Sequence, residues 1–293
     1  MQNPPNESYL DLTLLIELGF GLIYLIACFI LFFIGKLFFQ LMNRRIQVNE
    51  ELVKKDNVAF AVSMVGYYFG LVLAIGGALV GPSRGLMNDL IDLGIYGLLA
   101  IILMSIAVII NDKIMLYRFN CEDEVIRDQN SGTGAIQAAC YTATGLIIFG
   151  AVSGEGGGVL TAVIFWALGQ VALVLAGLIY AWMIPYDVHA EIERDNVPAG
   201  IGFAGVLLGI GNITRIACSG DFISWGENLV KFGYIVILGL LILPVIRFLT
   251  DKVLLPGEKL TDEIVHQEKP NLGAAYVEAF SYLGASFLIG WAI

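Results

Sequence analysis

One carboxylate stands out for where it sits. Glu278 falls inside the apolar stretch 272–293, about ten ångström past its start at the rise of an α-helix. An ionised carboxylate at that depth is costly in lipid and normally faces protein or water, where it can attract a cation or release a proton. The structural alternative is a hydrogen bond to a neighbouring tyrosine, Tyr141 or Tyr282, with the carboxyl protonated. Gln137 holds the corresponding position one repeat earlier and keeps the size and hydrogen bonding without the charge. Four asparagines, Asn57, Asn130, Asn196 and Asn271, open apolar stretches, and each closely follows an acid (Asp56, Asp128, Asp195, Glu268). Asparagine accepts from orphan N–H groups at a helix start, and acids suit the positive helix end. The functional alternative is a ring of Asn and carboxylate groups at a pore mouth. Glu278, Gln137 and the four asparagines are therefore the candidate residues for a substrate or ion path.

Other chemistry is missing from the pattern. HExxH, GxxxxGK[ST] and a GxGxxG opening a helix after a strand are absent, and the GxSxG spelled by Gly81-Pro82-Ser83-Arg84-Gly85 is a short Gly-rich loop between two apolar stretches rather than a strand-to-helix nucleophile turn, so no catalytic residues are assigned. His189 and His266 stand alone in polar segments, and Cys28, Cys121, Cys140 and Cys218 form no CxxC. Neither set suggests a metal site, a cofactor or a disulfide framework.

The elements that must position these residues are membrane helices. Of 293 residues, 58% are hydrophobic and 14% charged, against about 25% charged in soluble domains; mean hydropathy is +0.80. Eight stretches are long and apolar enough to cross a bilayer: 12–42, 58–81, 90–116, 132–152, 159–184, 197–218, 229–250 and 272–293. Met1 to Thr13 contain no Lys or Arg, so the first stretch is expected to stay as a helix rather than act as a cleaved leader. A net charge of −10 argues against nucleic acid as a partner. Long charged loops (43–57, 113–130, 185–196, 251–271) alternate with short Gly-rich ones (81–85, 153–158, 219–228). The long set and its flanks carry twelve Lys/Arg, the short set three. Basic loops stay in the cytoplasm, which puts both termini outside it.

The chain also matches itself. At an offset of 139, Asp56-Asn57-Val58 lies over Asp195-Asn196-Val197, Gly66 over Gly205, Asp112-Lys113 over Asp251-Lys252 and Asp123-Glu124 over Asp262-Glu263. Beyond a two-residue insertion at Lys269-Pro270 the offset becomes 141, placing Gln137 over Glu278 and Tyr141 over Tyr282. One offset serving so many matches marks a duplication, with repeats 1–155 and 156–293. A finer unit recurs four times, its asparagines spaced 73, 66 and 75: a bulky B helix, an acidic loop, Asn, then an A helix rich in small residues. Two helices per unit keep all copies in one orientation, with the symmetry axis along the membrane normal. The fold class is all-α integral membrane protein, with eight transmembrane helices as two parallel four-helix repeats. Because GxxxG spacings (Gly66/Gly70, Gly205/Gly209) favour close helix approach, the A helices are expected to cluster around one axis inside a ring of B helices.

The acidic loop, Asp-Asn and Ala/Gly-rich helix, as in Asp56-Asn57-Val58-Ala59 and Asp195-Asn196-Val197-Pro198-Ala199-Gly200, resemble the YjfL-like bacterial inner membrane proteins that carry the domain of unknown function (DUF) 350. Typical members look like one four-span half of this chain, so the resemblance would cover nearly all of it twice. Gln129 departs from the pattern where Asp56 and Asp195 stand. The resemblance implies residence in the bacterial inner membrane and carries no activity with it. Acidic mouths concentrate cations, and the residues favour a channel or transporter for a cation or cationic solute. The rival is a membrane scaffold docking a soluble partner through its cytoplasmic loops. Beyond the lipid bilayer, a homo-oligomer and a soluble cytoplasmic partner both stay open. An intramembrane enzyme is weakest, since no nucleophile and base come together.

Overall fold

The computed structural model describes residues 12–81, 83–116, 118 and 120–293. Most of the N-terminal stretch read above as uncleaved, 1–11, and Pro82 of the first short loop lie outside the described residues. Regular structure among them is helical: α1 Leu12–Met42, α2 Val58–Gly77, α3 Leu86–Ile110, α4 Ser131–Val152, α5 Val159–Met183, the short α6 Val188–Glu193, α7 Val197–Cys218, α8 Trp225–Leu249 and α9 Leu272–Ala292. Eight of these, all but α6, are long and apolar enough to cross a membrane. Two begin four residues earlier than their hydropathy suggests. In α3 and α8 the first turn carries Asp89 and Glu227, acids that suit the positive end of a helix although they lower the local hydropathy. In α8 the cap is Ser224, whose hydroxyl accepts from the Glu227 N–H at 3.3 Å.

The long loops are more ordered than loops of their polarity suggest. Both α3 and α8 run on into one-turn π-helices, Asn111–Met115 and Thr250–Leu254. A second pair follows at Asp123–Arg127 and Asp262–His266, and another turn of the kind precedes α2 at Glu50–Lys54. The two pairs keep the 139-residue offset, whereas the position matching Glu50–Lys54 is taken by the α-helical α6; in the paired turns the duplication extends to backbone irregularities that are usually retained for a reason.

Packing corrects the expected ring. Each A helix (α2, α4, α7, α9) touches the next in chain order, and α2 does not pack on α9. The four A helices form a row with two open ends. The B helices (α1, α3, α5, α8) form a second row in the same order, each wedged against the A helices beside it. Close approach along the A row needs glycine: a Cβ on Gly145 would lie 2.2 Å from the Gly70 carbonyl oxygen, and one on Gly200 2.6 Å from the Gly132 Cα. A ring would require the small residues to point at a common axis. Instead every inner A helix carries them on two opposite faces, which dictates a row. Bulk goes where lipid accepts it, at Phe29, Ile30 and Phe33 of α1 and Val65 and Phe69 of α2.

Candidate functional site

The asparagines hold the row together. The residue before each of the first three turns left-handed (φ 50° at Asp56, 53° at Gln129, 63° at Asp195), uncommon for a residue with a side chain. The reversal lets the Asn57, Asn130 and Asn196 N–H groups donate to the carbonyls of Glu51, Glu124 and Glu191 at 2.9–3.0 Å. In the fourth unit Pro270 stands before Asn271, and the two extra residues still bring the Asn271 N–H to the Glu263 carbonyl at 2.9 Å. Each Oδ1 then caps its helix, accepting from the N–H of Phe60, Thr133, Ala199 or Ala274. Each Nδ2 donates to a glutamate side chain of its own loop: Glu51 (3.1 Å), Glu124 (2.9 Å), Glu191 (2.9 Å) and Glu263 (2.6 Å). The engaged acids are thus five to eight residues upstream, not those next to the asparagines. Three asparagines reach one unit further, to the carbonyls of Val125, Ile192 and Ile264 at 2.8, 2.6 and 2.9 Å. Among the described residues these side chains are spread along the row and engaged in packing; they do not converge on a mouth.

Burial works differently on two of these glutamates. It acts to raise Glu51, but hydrogen bonds from Lys55 and Asn57 outweigh it and hold the carboxyl below its ordinary range. Glu124 has Asn130 and no lysine, and burial pushes it up.

Glu278 lies in the second half, wholly buried at 0% exposure. Its Oε1 forms an ion pair with Arg247 of α8 and accepts from the Tyr180 hydroxyl of α5 at 3.2 Å. The guanidinium also donates to Thr261 Oγ1 at 3.2 Å and lies 6.0 Å from the centre of the Tyr180 ring. The hydroxyls of Tyr186 and Tyr282 turn towards this group without reaching hydrogen-bond geometry. Gly202 makes the room, because a Cβ there would lie 2.4 Å from Glu278 Oε2.

At the same depth in the first half the arrangement is open. Gln137 Oε1 accepts from the Ser63 hydroxyl at 2.7 Å, and its amide faces Asp112 Oδ1 at 3.4 Å. Ser63 stands where the second half has Gly202, so Ser63 with Gln137 replaces Gly202 with Glu278 as a unit. Val108 occupies the place of Arg247. The shorter side chain leaves a cavity of about 580 Å³ walled by Ser63, Val108, Asp112, Gln137 and Tyr141 and reaching Asn43, Lys113, Asn120 and Glu122 at the long-loop end. Asp112 makes no ion pair among the described residues. A second cavity of about 360 Å³ opens at the short-loop end of the same half, with Tyr24, Arg84, Asp89, Asp92 and Glu155 in its wall. Between the two lie the fully buried Tyr67, Leu71 and Met104.

Of the residues singled out by sequence, Gln137 reaches a cavity, Glu278 is enclosed and the asparagines bind loops. Arg247 and Asp112 escape a reading of spans because each falls at a helix end among other loop-side charges. The repeat offsets held the signal: they set Arg247 over Val108 and Glu278 over Gln137, two charges of opposite sign that appear together in the second copy only. The short-loop charges do not gather into one cluster either. Arg84 pairs with Asp92, Arg215 donates to Asn212 Oδ1 at 2.9 Å, and Asp221 accepts from the Glu155 N–H at 2.9 Å.

The sequence profile of a family described as Domain of Unknown Function (DUF350) matches residues 13–152 and again 156–293. A UPF0719 transmembrane protein of Aquifex aeolicus (strain VF5) is 24% identical over 202 residues, covering 68% of this chain and 73% of its own. No solved structure matches.

Proposed function

We propose that this chain, which belongs to the DUF350 family and carries its domain twice, is a channel or transporter for a cation or cationic solute in the bacterial inner membrane. The single observation that carries this reading is Asp112, a carboxylate without an ion-pair partner among the described residues on the wall of a 580 Å³ cavity. Carboxylates at both ends of the first half concentrate cations, and the packed side chains between the two cavities are the barrier a gate would move. In this reading Gln137 lies on the path with Asp112, and Glu278 serves as its closed, self-neutralised counterpart. The asparagine hooks at 57, 130, 196 and 271 keep the loop end rigid while the path opens.

The experiment is cation flux in liposomes containing the purified protein. Asp112→Asn should lower flux at least about tenfold, the effect of losing one good charge contact, with unchanged thermal stability. Flux unchanged by Asp112→Asn would reject the site. The orientation follows from the basic loops: cysteines placed in 81–85 or 153–158 should label with an impermeant reagent from outside, and those at 45 or 259 should not.

One observation favours a scaffold instead. The A helices meet backbone to backbone, which leaves no passage through the row itself. No cation flux under any gradient, together with retention of a soluble protein by the long loops, would select that reading.

A further inference from the structure

The duplication makes the second half a record of what the first half's cavity can hold. Arg247 and Val108 share a repeat position, as do Glu278 and Gln137, Asp251 and Asp112, and Tyr282 and Tyr141. In the second half the protein fills the space with its own guanidinium, which meets a carboxylate, the Thr261 hydroxyl and the face of Tyr180. In the first half Val108 is too short to fill it, yet polar groups remain around the space. Asp112 supplies a carboxylate and Tyr141 an aromatic ring, Gln137 turns its amide N–H to Asp112 and its oxygen to Ser63, and Lys113 lies at the rim of the same wall. The cavity lies within the size range of small-molecule pockets and leaves room for a chain attached to the cationic head.

We propose that the first-half cavity is a binding site for a small alkylguanidine, whose guanidinium takes the place that Arg247 occupies in the second half. This rests on the reading of Asp112 as a cation site and names the class of cation. The planar fork of a guanidinium matches the two oxygens of one carboxylate, is more weakly hydrated than an ammonium, and stacks on aromatic faces. A primary ammonium is a compact, strongly hydrated charge that meets only the carboxylate well.

The test uses the full-length protein in lipid nanodiscs with three probes sharing one tail: butylguanidinium, butylammonium and neutral butylurea, titrated by calorimetry. Butylguanidinium should bind at least about tenfold more tightly than butylammonium, the value of one added charge-assisted hydrogen bond, and butylurea should not bind. Asp112→Asn should abolish the binding. Val108→Arg should abolish it too, since it supplies the occupant internally, and thermal unfolding of that variant establishes that it is folded. If Val108→Arg does not fold, Asp112→Asn alone decides the location. Equal binding of butylammonium in an Asp112-dependent manner would overturn the guanidinium assignment and leave the cation reading standing. Absence of Asp112-dependent binding by either cation would overturn both. Binding that survives Asp112→Asn and a folded Val108→Arg would place the ligand elsewhere and overturn the proposal.

Discussion

The two halves share a backbone plan down to the paired π-helical turns that follow α3 and α8, yet they treat the same intramembrane position in opposite ways. In the second half a carboxylate and a guanidinium neutralise each other in a closed, aromatic-walled space. In the first half both partners are replaced by uncharged side chains, and the space is left as a cavity beside Asp112. A charge in this space costs least when a second side chain satisfies it. Arg247 alone would bring a buried charge against an amide, and Glu278 alone would leave a carboxylate in an apolar setting. The pair, with Gly202 opening the space beside it, avoids both costs.

The largest effect that could break this comparison comes from removing one partner. Arg247→Ala should destabilise the protein by about 3–5 kcal/mol, because it strands a buried carboxylate. Val108→Ala at the matching position should cost no more than about 1 kcal/mol. Arg247→Met combined with Glu278→Gln should regain most of the loss. Chaotrope unfolding in a single detergent measures all three, and an Arg247→Ala loss as small as that of Val108→Ala would show that the pair is not what closes the second half.

A smaller effect tests the coupled exchange on α2 and α7. Gly202→Ser forces atoms into a space where even a Cβ falls 2.4 Å from Glu278, an overpacking worth about 1–3 kcal/mol. Gly202→Ser with Glu278→Gln and Arg247→Val rebuilds the arrangement of the first half without stranding a buried guanidinium and should recover part of that. If the single and triple variants unfold alike, the serine–glutamine and glycine–glutamate arrangements are not alternatives.

The smallest effect concerns the hooks of the first two units. Glu51 is held below its ordinary range, so its contribution to stability is present above the unfolded value and is lost as pH falls through the folded one. Glu124 is pushed up, so the native state binds its proton more tightly and stability falls as pH rises through the carboxylate range. Glu51→Gln should therefore lower the Tm at pH 7, with an effect that shrinks as the pH falls through the carboxylate range. Glu124→Gln should raise it slightly at pH 7 and lose that advantage in acid. Shifts of about 2–4 °C correspond to 1 kcal/mol in a protein of this size, and differences of that size or below are expected. The same sign for both variants at pH 7 would contradict the contrast between a lysine-supported and an unsupported glutamate.

Much of this molecule was legible without coordinates because the relevant physics is local or periodic. A span of about twenty apolar residues has little choice but to be a helix in lipid, since no water is there to satisfy its backbone. An asparagine after an acidic loop caps a helix wherever that helix ends up, and a single offset between two copies requires parallel halves. The family resemblance rested on the same short signals. What escaped was decided by which faces meet. Small residues at helical spacing announce close packing, but a row and a ring differ only in whether they occupy two faces or one, and hydropathy is blind to that. Arg247 looked like one more loop-side charge because its partner lies 31 residues away on another helix. Asp112 looked like a repeat marker because the cavity beside it exists only where α2, α3, α4 and the long-loop end converge. The sequence alone therefore determined the eight spans, their caps and the duplication, all set by backbone hydrogen bonding and burial within one segment. Only the tertiary structure decided that the A helices stand in a row, that Glu278 is closed by Arg247 and that the open position lies in the first half, because each depends on the space left between segments distant in the chain.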